Sequence, residues 1–134
     1  MAEGLLNHWA KADHWDVEAK SAGLAAFGGL PAATEAIEAC KEKGVDISAH
    51  QSQPLSKALV LESDLIVTMT VKHKESILRK MPDLENKVKV LAELAGEGLV
   101  DIEDPVGLPL EEYRKLLGQI EGYLEKSKSV FNQS

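Results

Sequence analysis

Leu65-Ile-Val-Thr-Met69 is the stretch of sequence that decides the fold class. It is continuously apolar, which is typical of a strand buried on both faces of a parallel sheet. Helical patterns lie on both sides of it: Ser56 caps a short helix that runs to Leu61, and a second helix runs from about Val71 to Met81 and stops at Pro82. A strand between two helices predicts an α/β chain, a three-layer αβα sandwich with a mainly parallel sheet.

Further strands are predicted on both sides of this stretch. Val17, Ala19 and Ser21 alternate with charged residues, which indicates a short strand with one polar face. Val88, Val90 and Leu91 indicate another. The remaining patterns predict a helix from the first residues, a helix opened by Pro31 and stopped by Gly44, a helix from Leu110 to about Lys126, and a frayed tail from Ser127 to Ser134.

Composition limits the classes of protein that fit. The 134 residues suffice for one domain, residues 1–134, and the net charge of −7 argues against nucleic acid or an anionic membrane as a partner. Cys40 is the only cysteine, which excludes an intrachain disulfide and suits a reducing, cytoplasmic compartment. No apolar run approaches the ~20 residues that span a bilayer.

The loops after predicted strands are the candidate functional positions, because ligands of such folds bind beyond the carboxyl ends of the strands. Three loops qualify: Ser21–Leu30, the loop at Thr70 and the loop at Asp104. Pro105 biases Asp104 toward an extended conformation, and a carboxyl group displayed there could protonate a leaving group. The alternative is that Asp-Pro only starts a turn.

Other polar residues allow two interpretations each. His50 lies in a polar loop, where it either orients a neighbouring loop or is merely solvated. Ser21 either faces a ligand or completes a turn. Cys40 lies among alanines in a predicted helix and is expected in the core. No residue spacing indicates a metal site or a glycine-rich phosphate loop, so we expect neither metal nor cofactor.

Several segments, taken in order, resemble the low-molecular-weight protein-tyrosine-phosphatase family, and most of all its bacterial branch that includes protein-arginine phosphatases. The segments are Met1-Ala-Glu-Gly-Leu-Leu6, Ser21-Ala-Gly23, Gly44-Val-Asp-Ile-Ser48 with His50, Ser63-Asp-Leu-Ile-Val-Thr-Met69, and Asp104-Pro-Val-Gly107. The resemblance covers residues 1–126. It implies a four-stranded parallel sheet and metal-free hydrolysis of a phosphorylated protein side chain.

The resemblance also implies residue roles. In the family, the cysteine of a Cys-x5-Arg-Ser loop attacks phosphorus, and the Asp of an Asp-Pro loop protonates the leaving group and then activates water. Asp104 and Pro105 match that loop, His50 matches the histidine that braces the phosphate loop, and Ser21 lies in the same support. The nucleophile has no match in this chain, since the residue six positions after Cys40 is Asp46 and not arginine.

The family's phosphate loop precedes the segment that Met1-Ala-Glu-Gly matches. We therefore expect an N-terminally shortened sequence that lacks the central first strand and the phosphate loop, and that is catalytically silent. The alternative is a pseudophosphatase that binds or regulates without catalysis. An arsenate reductase would need additional cysteines, and a receiver domain would need an Asp at the end of its central strand, where Asp64 begins one instead.

The predicted substrate is phosphoarginine or phosphotyrosine. Tyrosine-specific members carry aromatic residues after the Asp-Pro, whereas Val106 follows here. An aliphatic residue at this position favours a slimmer group such as phosphoarginine over a flat aromatic ring.

Overall fold

A computed structural model describes residues 1–23 and 29–131 of the chain. The helices and strands follow in chain order: α1 Ala2–Asp13, α2 Thr34–Glu42, α3 Lys57–Glu62, β1 Ile66–Thr68, α4 Val71–Lys80, a 3-10 turn Pro82–Leu84, β2 Val88–Val90, α5 Leu91–Leu94, α6 Leu110–Lys126 and α7 Lys128–Phe131. This is the predicted α/β class, and no helix in the described ranges is long and apolar enough to cross a membrane.

The sheet in the described part of the chain has two parallel strands. Ile66, Val67 and Thr68 of β1 stand opposite Val88, Lys89 and Val90 of β2. Both strands were predicted from their apolar runs, and so was their parallel direction. In residues 1–23 and 29–131 the sheet has two strands, whereas the resemblance implies four in the family, and the segment around Ala19 has no ladder partner there.

Side-chain caps set the ends of the helices that flank β1. The N–H of Leu59 donates to Ser56 Oγ at 3.1 Å, which starts α3 at the predicted residue. Thr70 caps α4 in the same way, since its Oγ1 accepts from the N–H of His73. Helix α3 ends shortly before β1, and α4 begins shortly after it. The start of α4 therefore lies at the carboxyl end of β1.

The core lies mainly between α1, α2 and α6. Its buried side chains include Leu5, Cys40, Leu91, Leu117 and Leu124. Helix α1 approaches the chain after α2 closely: a Cβ on Gly4 would overlap the Cγ2 methyl of Ile47. The C-terminal helices α6 and α7 close this core.

Three sequence predictions are corrected by the structure. The segment Val17 to Ser21 forms no strand; side chains of α1 bind its backbone instead. Pro31 does not open α2, which begins at Thr34; Pro31 instead bridges Gln51. The predicted frayed tail contains α7, with Ser127 and Phe131 buried, although residues 132–134 lie outside the described part.

Candidate active site

Asp104 lies on a turn that its own carboxylate closes. The N–H of Val106 donates to Asp104 Oδ1 at 3.1 Å, and the N–H of Leu108 donates to the carbonyl of Pro105 at 2.9 Å. Gly107 has φ +84°, a left-handed conformation that favours glycine. Pro105 is buried while Asp104 and Val106 are exposed. The proline thus anchors a rigid turn that presents a carboxylate to solvent.

Two hydrogen bonds hold the segment before this turn at the carboxyl end of β1. The N–H of Ile102 donates to the carbonyl of Met69 at 2.8 Å. The N–H of Val71, in the first turn of α4, donates to Asp101 Oδ1 at 2.8 Å. Ile102 is 2 % exposed, so it fixes the segment in the core as well. Asp104 therefore lies near the sheet end where ligands of α/β folds bind.

Asp104 also lies close to α6. Burial, followed by the nearby carboxylates of Glu35 and Asp104, raises the pKa of Tyr113. Tyr113 is 4 % exposed and keeps its proton at neutral pH. A buried phenol that keeps its proton thus lies within electrostatic range of Asp104.

A second polar cluster joins the start of α1 to two loops. Glu3 is its centre: its Oε1 accepts from the N–H of Ser21 at 3.1 Å, and its Oε2 accepts from Ser21 Oγ at 3.1 Å. His50 Nδ1 lies 2.9 Å from the same Oε2. The side chains of Glu3 and His50 are 23 % and 29 % exposed, so solvent weakens this interaction only in part. His50 is therefore a bonded loop residue rather than a solvated one.

Asn7 repeats this pattern one helical turn along α1. The N–H of Ala19 donates to Asn7 Oδ1 at 2.7 Å, and Asn7 Nδ2 donates to the carbonyl of Ala19 at 2.9 Å. Gln53 Nε2 donates to the carbonyl of Ser21 at 2.9 Å. Glu3 and Asn7 are i and i+4 on one helix face, so that face of α1 binds the backbone of Ser21 and Ala19.

The structure brings only some of the predicted site residues together. Ser21 and His50 meet through Glu3, whereas in residues 1–23 and 29–131 no hydrogen bond or ion pair links Asp104 to that cluster. Part of the predicted loop Ser21–Leu30 lies outside the described residues. Sequence reasoning missed Glu3 and Asn7. The signal available was their i, i+4 spacing at the start of α1, opposite a segment that needed hydrogen-bond partners.

Cys40 is buried, and both arginines are bound to other side chains. Cys40 is 0 % exposed within α2, and burial raises the pKa of its thiol, which disfavours a reactive thiolate. Arg114 is held by Glu42 and Glu111, with its Nη2 2.7 Å from Glu42 Oε2. Arg79 Nη2 donates to Ser76 Oγ. Neither arginine is thus disposed to bind a phosphate at Asp104.

The part of the chain that the structure describes has no cluster of metal-binding side chains. No group of three or more His, Cys, Asp and Glu side chains there could hold a metal ion. An exposed carboxyl group such as that of Asp104 can transfer protons.

The chain matches known proteins over nearly its whole length. It is 34 % identical to the protein-arginine-phosphatase of Geobacillus stearothermophilus over 110 residues, which is 82 % of this chain and 74 % of the relative. It is 33 % identical to arsenate reductase 2 of Staphylococcus haemolyticus over 132 residues, covering 96 % and 86 % of the two chains.

Solved structures agree with this likeness. The low molecular weight protein tyrosine phosphatase from T. tengcongensis superimposes with a TM-score of 0.90 at 38 % identity, covering 96 % of this chain and 88 % of that one. This similarity confirms the αβα architecture. A profile of the family described as low molecular weight phosphotyrosine protein phosphatase matches residues 1–132. The chain belongs to the low molecular weight phosphotyrosine protein phosphatase family.

Proposed function

We propose that this domain contributes the general acid and base of a protein phosphatase, with Asp104 in that role. The observation that carries the proposal is the turn at Asp104, which is closed by its own hydrogen bonds, anchored by buried Pro105 and tied to the end of β1 through Ile102. A carboxyl group in this position can give a proton to a leaving oxygen or nitrogen, and can then take one from an attacking water.

The remaining residues position the site. Glu3, Ser21 and His50 tie the first turn of α1 to two loops, so they support whatever lies at the start of that helix. By family resemblance, that support is given to a phosphate loop whose cysteine takes the phosphoryl group from the substrate; water then attacks the phosphorus, breaks the S–P bond and releases phosphate and the free cysteine. Ser21, His50 and Glu3 are thus positioning residues in this proposal, and Asp104 is the one that touches the leaving group.

Residues 1–134 supply no nucleophile in this scheme. Their single cysteine, Cys40, is fully buried in α2. We therefore expect this polypeptide by itself not to hydrolyse p-nitrophenyl phosphate. Its lone, buried cysteine also disfavours an arsenate reductase, and it supports our placing of the protein in a reducing, cytoplasmic compartment.

The proposed substrate is a phosphorylated protein side chain, with phosphoarginine preferred over phosphotyrosine. Val106 is 73 % exposed beside Asp104 and offers an aliphatic surface. An aromatic leaving group would gain from a flat ring at this position, whereas the methylene stem of arginine packs equally well on valine. The name of the Geobacillus relative is consistent with this choice.

The test joins residues 1–134 at Met1 to the strand and Cys-x5-Arg-Ser-Pro segment of an active relative. The joined protein is expected to hydrolyse p-nitrophenyl phosphate, and phosphoarginine peptides with a higher kcat/KM than phosphotyrosine peptides. Asp104→Asn should lower kcat by about 10²- to 10⁴-fold. Glu103→Gln is the matched control, because Glu103 is the exposed neighbouring carboxylate, and it should leave kcat unchanged.

Two results would argue against the proposal. An unchanged kcat of the joined protein in Asp104→Asn would remove Asp104 from the role of general acid, and turnover by residues 1–134 alone would contradict their expected inactivity. An inactive joined protein that is folded, together with partner binding by residues 1–134 that does not depend on phosphate, would favour the pseudophosphatase.

A further inference from the structure

Helix α4 presents an exposed basic face. Four of its residues recur at i, i+3, i+4 and i+7, a spacing that places them on one side of the helix: Lys72, Glu75, Ser76 and Arg79. Ile77, on the other side, is buried. Lys72 and Arg79 are both exposed and lie about 10 Å apart along the helix axis, since each residue rises about 1.5 Å. These four residues form one surface, which we call the α4 face.

The cations of the α4 face have no acidic partner in residues 1–23 and 29–131. No ion pair there includes Lys72, Arg79 or the adjacent Lys80, which is also exposed. On α6, by contrast, the three cations each pair with a glutamate: Arg114, Lys115 and Lys126. The chain thus compensates the positive charge of α6 and leaves that of the α4 face uncompensated.

Helix stability accounts for only part of this charge. Arg79 and Lys80 lie in the last turn of α4, where the helix dipole favours a cation. Lys72 lies in the first turn, where a cation opposes the dipole, and that turn holds no acidic residue. It follows Val71, whose N–H binds Asp101, so it lies at the carboxyl end of β1. The charge of Lys72 therefore does not stabilise its own helix.

The α4 face includes a shallow depression that has a charged part and an apolar part. Four residues line it: Lys72, Glu75, Leu78 and Arg79. Leu78 is half-buried, and Glu75 is the one acidic residue of α4. Glu75 lies between the two cations and weakens the positive potential that they create. A ligand with two anionic groups can reach both cations and rest its uncharged part on Leu78.

The net charge of the chain limits the length of such a ligand. The protein carries −7 at pH 7, so a long polyanion that extended beyond α4 would be repelled by the rest of the surface. At physiological salt, charges on the surface act over about 8 Å. A few carboxylates held within the length of the α4 face are therefore attracted by it and are largely screened from the remaining charge. This favours a short acidic peptide segment over nucleic acid or an anionic membrane.

We propose that the α4 face binds a short acidic segment of another protein, whose carboxylates pair with Lys72 and Arg79. An extended peptide places every second side chain on the same side, about 7 Å apart. The flexible stems of lysine and arginine span the remaining distance, and the guanidinium of Arg79 can bind a carboxylate through two N–H groups. This binding does not depend on the proposed function of Asp104.

The experiment uses residues 1–134 and a fluorescently labelled peptide of alternating glutamate and serine. Fluorescence anisotropy measures the affinity, and amide chemical shifts locate the binding. We expect binding at low salt that weakens about tenfold or more when the salt is raised to about 0.5 M. The shift changes should concentrate in α4. A control peptide with glutamine in place of glutamate should not bind.

Substitutions on the α4 face should change the affinity in opposite directions. Lys72→Gln combined with Arg79→Gln should lower it by about tenfold, because two exposed ion pairs are lost. Glu75→Gln removes the negative charge between the cations and should raise it by about twofold. The matched control combines Lys11→Gln with Lys57→Gln, since both lysines are exposed, lie on α1 and α3, and have no ion pair in the described ranges. The control changes the net charge equally and should leave the affinity within about twofold.

Four results would overturn the proposal: no binding of the glutamate peptide, equal affinity in the unmodified chain and the Lys72→Gln, Arg79→Gln variant, a lower affinity in Glu75→Gln, or equally tight binding of a short thymidine oligonucleotide. The last would make nucleic acid the ligand. A higher affinity in Glu75→Gln cannot come from loss of folding, so that variant keeps the test sharp. The peptide carries no phosphate, so the result is independent of whether the domain is a phosphatase.

Discussion

Glu3 holds two of the predicted site residues, Ser21 and His50, in place, although the sequence analysis did not single it out. It accepts from the backbone and hydroxyl of Ser21 and contacts His50, three interactions through one carboxylate in the first turn of α1. A negative charge at that end of a helix is also favoured by the helix dipole. The positions of Ser21 and His50 thus depend on a residue that neither the Asp-Pro motif nor the histidine loop identifies.

Glu3→Gln tests this dependence. The carboxamide keeps the shape but turns one acceptor oxygen into an NH2 group, so that Ser21 or His50 loses its partner. We expect the free energy of unfolding to fall by about 1–2 kcal/mol, the usual cost of losing part of a charged hydrogen-bond cluster. Urea unfolding measures the change.

Glu18→Gln is the matched control, because Glu18 is exposed and lies three residues before Ser21. It should change the unfolding free energy by less than about 0.5 kcal/mol. Equal losses in the two variants would mean that Glu3 acts through net charge and not through its partners.

On the scale of helices and strands, the sequence predicts those elements whose formation depends on residues close together in the chain. Both observed strands, the Ser56 cap and the bounds of α6 follow from apolar periodicity and capping residues. The turn at Asp104 was likewise predictable from Asp-Pro and Gly107. These features need only neighbouring residues to form.

The sequence predictions that the structure corrects concern residues whose conformation depends on tertiary contacts. The segment around Ala19 alternates as a strand should, but Asn7 of α1 replaces its ladder partner. The residues after Ser127 look polar and terminal, yet Phe131 is 8 % exposed against the core. Both outcomes depend on residues distant in sequence, which periodicity does not register.

Helix α7 yields a prediction at this scale. Phe131 belongs to the core cluster that also contains Leu5 and Leu124. Phe131→Ala should lower the free energy of unfolding by about 2–4 kcal/mol, at or below the usual range for a buried phenylalanine because it lies near the chain end. Ser129→Ala, at an exposed position of the same helix, should cost less than about 0.5 kcal/mol. A frayed tail would give no difference between the two variants.

The hydrogen bonds at the start of α5 should make the free energy of unfolding fall at acidic pH. Lys74 Nζ and the N–H of Val90 both donate to Glu93 Oε1, at 2.8 and 3.0 Å. The hydrogen bond from Lys74, aided by that from Val90, lowers the pKa of Glu93 below its ordinary 4.5. A lowered pKa in the folded state gives stability that is complete well above pH 4.5 and is lost as the pH falls through the folded-state pKa.

Glu93→Gln should therefore cost about 1 kcal/mol at pH 7 and flatten the loss of stability below pH 4.5. Urea unfolding at both pH values measures this. The control is Glu112→Gln, whose partner Lys115 lies 3.5 Å away at an exposed i, i+3 position, and which should have no measurable effect. If the free energy of unfolding falls as steeply below pH 4.5 in Glu93→Gln as in the unmodified chain, other carboxylates cause the loss of stability in acid.

Considered as a whole, the molecule combines a high negative charge with an open apolar strand edge. The net charge is −7 at pH 7 and the isoelectric point is about 5.1. Charge repulsion between copies opposes contact through the edge of β1 that faces away from β2, where the N–H and C=O of Val67 bond to no residue in the ranges 1–23 and 29–131. The charge and the edge therefore act in opposite directions on self-association.

Self-association of residues 1–134 should consequently depend on pH. Between pH 7 and pH 5 the net charge falls toward zero while Glu93 and most carboxylates stay ionised, so the fold persists as repulsion fades. Sedimentation should show monomers at pH 7 and a rising average mass toward pH 5, with an unchanged far-ultraviolet circular dichroism spectrum. Monomers at pH 5 would show that charge is not what keeps the copies apart.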